Sequence, residues 1–215
     1  MFQARSCCSR FVCCVCCSAR WVDIVGSSRM HQRPIHPLVD CLRSMGAHIE
    51  YLQCTGFPPL RIFGGGLAGG DAVLESSISS QFASALLMVG PLYKLPLRLT
   101  LTEEVPTSFT YIQMTIQNMR QFGLEVQSHA SNTFHVPSLP YVAPAHVYTI
   151  EPDASSATYA ATLAAISARS ITFPGIGSDS LQGAKLVFCS LIVCMPCREC
   201  ACARRPGLPQ ACRAG

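Results

Sequence analysis

Apolar residues recur at helical spacing in three central stretches. Ile35, Leu38, Val39, Leu42 and Met45 mark one face of a helix that Gly46 is placed to stop, because glycine adopts the left-handed conformation of a helix C-cap. Phe82, Ala85, Leu86 and Val89 mark a second, and Ile112, Ile116, Met119 and Phe122 a third, closed by Gly123. Between them the pattern predicts strands at 47–52 and 60–63 around a Gly-Phe-Pro-Pro turn, at 71–75, and at 95–101, where Leu97, Leu99 and Leu101 share a face. Strands are also expected at 146–150 and 171–173. An alanine-rich helix capped by Asp153 or Ser155 should run through about residue 168 with Tyr159, Leu163 and Ile166 on one side. Residues 1–28 and those beyond Gly183 show no periodicity and are expected to carry no regular element.

The pattern repeats. Leu42-Arg43-Ser44-Met45-Gly46-Ala47-His48-Ile49 matches Met119-Arg120-Gln121-Phe122-Gly123-Leu124-Glu125-Val126 at each apolar position and at the arginine and glycine, 77 residues apart. Two copies of a helix, glycine stop and strand imply an α/β fold assembled from repeated modules.

The second helix carries the most chemistry. Ser76, Ser77, Ser79, Ser80 and Gln81 precede its apolar run, and Leu87 and Met88 make it apolar nearly all round, as for a buried helix. A helix start has unpaired N–H groups and the positive end of the dipole, so it stabilises phosphate or carboxylate. Serine at that position also serves as a plain N-cap, which needs no ligand.

Composition narrows the classes. With 49% hydrophobic residues the chain has material for a core, and its net charge of +4 without a basic stripe gives no reason to expect nucleic acid. Gly64, Gly65, Gly66, Gly69 and Gly70 lack the Lys-Ser/Thr of a phosphate loop and read as a flexible connection. Six of fourteen cysteines lie between Cys7 and Cys17 and six between Cys189 and Cys212, leaving Cys41 and Cys54 in a middle that reads as a reduced, cytoplasmic domain. Cys194-x-x-Cys197-x-x-Cys200 lacks a fourth cysteine at iron–sulfur spacing, and His31, His36 and His48 have no metal spacing, so no metal or cofactor is expected. The apolar runs 11–17 and 186–197 are too short to span a bilayer, and no membrane association is expected.

Several motifs together carry a family resemblance. Gln32-Arg33-Pro34-Ile35 with Pro37-Leu38-Val39-Asp40, Phe57-Pro58-Pro59-Leu60, Ser79-Ser80-Gln81, Tyr111-Ile112, Glu151-Pro152-Asp153-Ala154-Ser155-Ser156-Ala157 and Gly175-Ile176-Gly177-Ser178-Asp179-Ser180-Leu181-Gln182-Gly183 run in the order found in EPSP synthase. Over about residues 29–183 the chain resembles the version within the fungal and protist pentafunctional arom polypeptide. The resemblance implies the enolpyruvyl transferase fold, here incomplete: two modules of one domain at 29–152 and the start of a second domain at 153–183, flanked by cysteine-rich ends. The implied reaction transfers the enolpyruvyl group of phosphoenolpyruvate to the 5-hydroxyl of shikimate 3-phosphate in aromatic amino acid biosynthesis. Other segments of a larger arom polypeptide are the implied partners.

Position by position, the resemblance makes Ser79, Ser80 and Gln81 contacts for shikimate 3-phosphate, with Gln81 also reaching phosphoenolpyruvate. Ser108 matches another phosphate-binding serine and Arg33 a phosphoenolpyruvate arginine, whose planar fork suits a carboxylate or phosphate. Tyr111 and Asp153 match cleft positions. Local chemistry leaves plainer roles open: Arg33 as a surface residue, Ser108 and Asp153 as helix caps.

Departures from the family pattern bear on activity. Ser108-Phe109-Thr110-Tyr111-Ile112-Gln113 lacks the proline and acid usual around that tyrosine, and Ala184 replaces an aspartate. The family's Lys-Ser and Arg, Asn-x-Gly-Thr, catalytic aspartate, Lys-Glu and His-Arg segments have no counterpart. No catalytic residue is therefore assigned, and little or no turnover is expected from this chain alone. A non-catalytic phospho-ligand binding module and a nucleotide-sugar enolpyruvyl transferase relative are the alternatives, the latter disfavoured by the Ser-Ser-Gln wording.

Overall fold

The computed structural model describes residues 12, 21–77, 79–104, 109–130, 132–167, 169, 171–176 and 182. The chain divides into two compact units, Met1–Ile150 and Glu151–Gly215.

In the first unit the order is β1 (Trp21–Ile24), α1 (His36–Ser44), β2 (His48–Tyr51), β3 (Leu60–Phe63), β4 (Gly70–Leu74), α2 (Ser80–Val89), β5 (Leu97–Leu101), α3 (Phe109–Gln121), β6 (Gln127–Ala130) and β7 (Thr133–Val136). They form a three-stranded sheet ordered β1-β3-β2 and a four-stranded sheet ordered β4-β5-β7-β6. Strand β4 is parallel to β5, with α2 as the crossover. Because β7 is antiparallel to both β5 and β6, β6 runs with β5 and α3 is a second crossover. The segment from β4 to β7 is thus one βαβαββ module.

The three-stranded sheet repeats the end of that plan. β1 and β2 are both antiparallel to β3, so β1-α1-β2-β3 reproduces β5-α3-β6-β7, including the strand order. Its helix closes the same way. Gly46 N donates to the Arg43 carbonyl and Ala47 N to that of Leu42; Gly123 N donates to the Arg120 carbonyl and Leu124 N to that of Met119. Both are Schellman stops, the physical content of the sequence repeat.

Alternation along the strands builds the core. Leu97, Leu99 and Leu101 are buried on one face of β5, joined by Phe134 and Val136 of β7, while α2 buries Phe82, Ala83, Ala85, Leu86, Leu87 and Val89. These residues and those of α1 and the three-stranded sheet belong to one hydrophobic cluster.

Four expectations are corrected. Strand β1 falls inside the stretch 1–28 that lacked periodicity; its pairing with β3, not its own pattern, makes it a strand. No strand forms at 146–150, where Val147 and Ile150 are exposed; this stretch belongs to an extended strap held by Tyr141 Oη donating to the Met88 carbonyl and Tyr148 Oη donating to Asn118 Oδ1. Residues 171–173 form no strand either. The glycine-rich connection is tied down, with Lys94 N, Leu95 N and Gly70 N donating to the carbonyls of Leu67, Ala68 and Pro96.

In the second unit α4 (Ala154–Ile166) is the helix expected there, and Tyr159, Leu163 and Ile166 are exposed along it. The cysteine-rich expectations at 1–11, 13–20 and 183–215 lie outside the described residues.

Candidate functional site

Parallel strands followed by crossover helices place the helix starts at the carboxyl ends of the strands, where α/β sheets take their ligands. In the β4–β7 module those starts are the tips of α2 and α3. The strand ends are laced together there, with Thr102 N donating to the Leu74 carbonyl (3.1 Å) and Ser76 N to Thr102 Oγ1 (3.4 Å).

At the α2 tip Ser79 is the N-cap, in extended backbone, and its Oγ accepts from Gln81 N at 3.2 Å. The plain capping role considered for this serine is therefore present, worth about 1 kcal/mol to the helix. Ser80 is buried, and Gln81 is half-buried with its Oε1 enclosed and unpartnered among the described residues. Ser76, wholly buried, leaves its Oγ in the same condition. An enclosed polar atom without a partner costs about 1 to 3 kcal/mol, so two within six residues of one helix start mark a place the fold alone does not satisfy.

The α3 tip carries Tyr111, which is half-exposed. Ser108 lies outside the described residues. The two helices are joined within two turns of their tips: Thr115 Oγ1 is 3.0 Å from Ser84 Oγ and 2.9 Å from the Tyr111 carbonyl.

Arg33 sits in the turn leading into α1. Its backbone N donates to the Met30 carbonyl, its side chain is half-buried, and among the described residues no carboxylate pairs with its guanidinium. By the 77-residue repeat Arg33 corresponds to Thr110, beside Tyr111; Arg33 lies in the turn three residues before α1, whereas Thr110 and Tyr111 lie in the first turn of α3.

Asp153 belongs to the second unit and caps α4. Its Oδ1 accepts from Ser155 N at 2.9 Å and its Oδ2 from the Ser156 hydroxyl at 2.7 Å. The Ser156 hydroxyl foremost, helped by the backbone N–H groups of Ser155 and Ser156, holds its carboxyl below the ordinary value. Gln182 completes that helix start, accepting from Ala154 N at 2.8 Å and donating to the Pro152 carbonyl at 2.7 Å.

No cluster of three or more metal-ligating side chains occurs among the described residues. His48 instead stacks on Phe63, and His31 Nε2 accepts from Gly26 N at 3.4 Å. No helix among the described residues is long and apolar enough to cross a membrane.

The structure thus carries Ser79, Ser80 and Gln81 on one helix and Tyr111 on the adjoining helix of the same module, sets Arg33 in the turn before α1, and puts Asp153 in the other unit. Sequence reasoning gave no role to Ser84, Thr115 or Gln182. Ser84 had a signal, being a hydroxyl in the middle of a nearly all-apolar helix; Thr115 and Gln182 had none without the packing.

A family model described as EPSP synthase (3-phosphoshikimate 1-carboxyvinyltransferase) matches residues 2–196. The chain is 48% identical over 165 residues to the pentafunctional AROM polypeptide of Komagataella phaffii and 47% identical over 165 residues to that of Candida tropicalis. Each alignment covers 75% of this chain and 11% of the relative. Among solved structures, EPSP synthase from Acinetobacter baumannii superposes with a TM-score of 0.62 at 23% identity, covering 76% of this chain and 35% of that one, a likeness of fold.

Proposed function

The chain belongs to the EPSP synthase family, and on that premise we propose that it holds shikimate 3-phosphate, and beside it phosphoenolpyruvate, at the helix starts of its first unit, as a part of the enolpyruvyl transfer machinery that does not turn over alone. Ser79, Ser80 and Gln81, together with Ser108, take the phosphate of shikimate 3-phosphate, Tyr111 flanks the ring, and Arg33 takes the carboxylate or phosphate of phosphoenolpyruvate. Asp153 fixes the start of the second unit's helix. The remaining catalytic groups come from other segments of an arom-type polypeptide in the cytoplasm. In that assembly the transfer forms the ether bond to the 5-hydroxyl and releases phosphate.

The observation that carries the proposal is the enclosed, unpartnered Gln81 Oε1 beside a capped helix start. A hydroxylated, phosphorylated acid supplies what that tip lacks: a donor for the amide oxygen and negative charge for the helix N–H groups.

Calorimetric titration of the whole chain with shikimate 3-phosphate tests it, with phosphate release measured when both substrates are present. Binding without phosphate release is the expected result. No heat of binding from a folded sample contradicts the binding assignment, and steady phosphate release contradicts the absence of turnover. Binding without turnover is equally the behaviour of a phospho-ligand binding module, a second reading favoured by the lack of any matched catalytic group.

A further inference from the structure

We propose that Thr115 is a positioning residue: its hydroxyl, joined to Ser84 on α2 and to the Tyr111 carbonyl on α3, sets the two helix tips at the spacing one phosphorylated sugar acid needs. The inference rests on the binding reading above and concerns residues which that reading leaves without a role.

A threonine hydroxyl has one proton. Given to the Tyr111 carbonyl at 2.9 Å, it leaves Thr115 Oγ1 to accept from the Ser84 hydroxyl at 3.0 Å, a directed chain from α2 to the first turn of α3. Both side chains are half-buried, which limits competition from water. Among the described residues no other side-chain hydrogen bond joins these two helices. Leu86 of α2 and Ile112 and Met119 of α3 lie in one hydrophobic core, and apolar contact is non-directional. The hydroxyl chain therefore fixes the axial register. Ser84 is four residues past Ser80, where α2 starts, and Thr115 six past Phe109, where α3 starts, so the link acts between one and two helical turns below the tips.

A ligand that spans both tips feels that register, while one that sits on a single tip does not. The test uses shikimate 3-phosphate as the spanning probe and inorganic phosphate, read as its competitor, as the single-tip probe. The whole chain is titrated unsubstituted and as Thr115→Val, Thr115→Ser, Ser84→Ala and the Ser84→Ala/Thr115→Val pair.

Thr115→Val and Ser84→Ala are each expected to weaken shikimate 3-phosphate by roughly five- to tenfold, as for one lost hydrogen bond, with phosphate competition unchanged. Thr115→Ser restores the hydroxyl and the affinity, and the double variant is no worse than either single. Equal weakening of both probes, unchanged shikimate 3-phosphate affinity, additive singles or failure of phosphate to compete overturns the inference while leaving the binding reading in place. No binding by the unsubstituted chain overturns the binding reading and this inference with it.

Discussion

Arg61 grips both carboxylate oxygens of Asp23, with Nε 2.7 Å from Oδ1 and Nη2 2.8 Å from Oδ2, and lays its guanidinium 5.0 Å over the Trp21 ring. The two residues are register partners on β1 and β3, so this pair fastens the first strand to its sheet. Foremost the hydrogen bond to Arg61 holds the Asp23 carboxyl below its ordinary value. The contribution to stability is therefore present above the unfolded carboxylate pKa of about 4 and disappears as pH falls through the lower folded value. Asp23→Asn is expected to lower the unfolding temperature at pH 7, and the gap from the unsubstituted chain should close as pH falls through the lowered folded value. Melting curves across that range check it; a gap that stays constant contradicts the pairing.

Gly46 and Gly123 both sit in the left-handed region, at φ +94° and +77°. At Gly46 an added Cβ meets nothing within 4 Å, whereas at Gly123 it comes 3.2 Å from Val142 Cβ. Gly46→Ala should cost about 1 to 2 kcal/mol, from backbone conformation alone, and Gly123→Ala more. Urea unfolding of the two variants gives the order directly.

These glycines also show what the chain's pattern contained. The helix stripes, the two stops and strands β2 to β5 are local, and a reader of the sequence finds them; the pattern predicts no strand at 127–136, where β6 and β7 form. Strand β1 was not legible because its partners, Arg61 and Phe63, lie some 40 residues away. Nor was the strand fate of 146–150 decided by its alternation: Tyr141 and Tyr148 anchor that region to α2 and α3 by side chains instead of a ladder. The α2 tip stood out from its hydroxyls and amide, but the unpartnered state of Gln81 Oε1 and the Ser84–Thr115 link are properties of packing that no spacing rule contains.

Cys41 is buried in the core and burial pushes its thiol up to about 12, while Cys54 is exposed. Only the thiolate is nucleophilic. Iodoacetamide at pH 8 followed by peptide mapping is expected to label Cys54 and spare Cys41 until urea unfolds the chain. Because the folded thiol is held neutral, its contribution is full below the unfolded value of about 8.5 and is lost as pH rises toward 12. Labelling of Cys41 at the rate of Cys54 in the folded chain contradicts its place in the core.

Asp153 spends both oxygens on the start of α4. Asp153→Ser keeps an N-cap and should leave shikimate 3-phosphate affinity unchanged, as a capping role requires. A large loss of affinity in that variant, with helix content by circular dichroism intact, would instead assign the carboxylate to the ligand.

Gln81→Leu tests the central claim most directly, because the two roles of that amide predict opposite outcomes. An enclosed oxygen without a partner costs the free chain its desolvation, so an apolar side chain of similar shape in its place is close to neutral or stabilising. The measurement is shikimate 3-phosphate affinity by calorimetry alongside the thermal unfolding of the free chain. If the α2 tip is built to hold the ligand, the variant melts at or above the temperature of the unsubstituted chain and its affinity falls by about tenfold or more. If it binds shikimate 3-phosphate as well as before, the tip is a helix start and not a site.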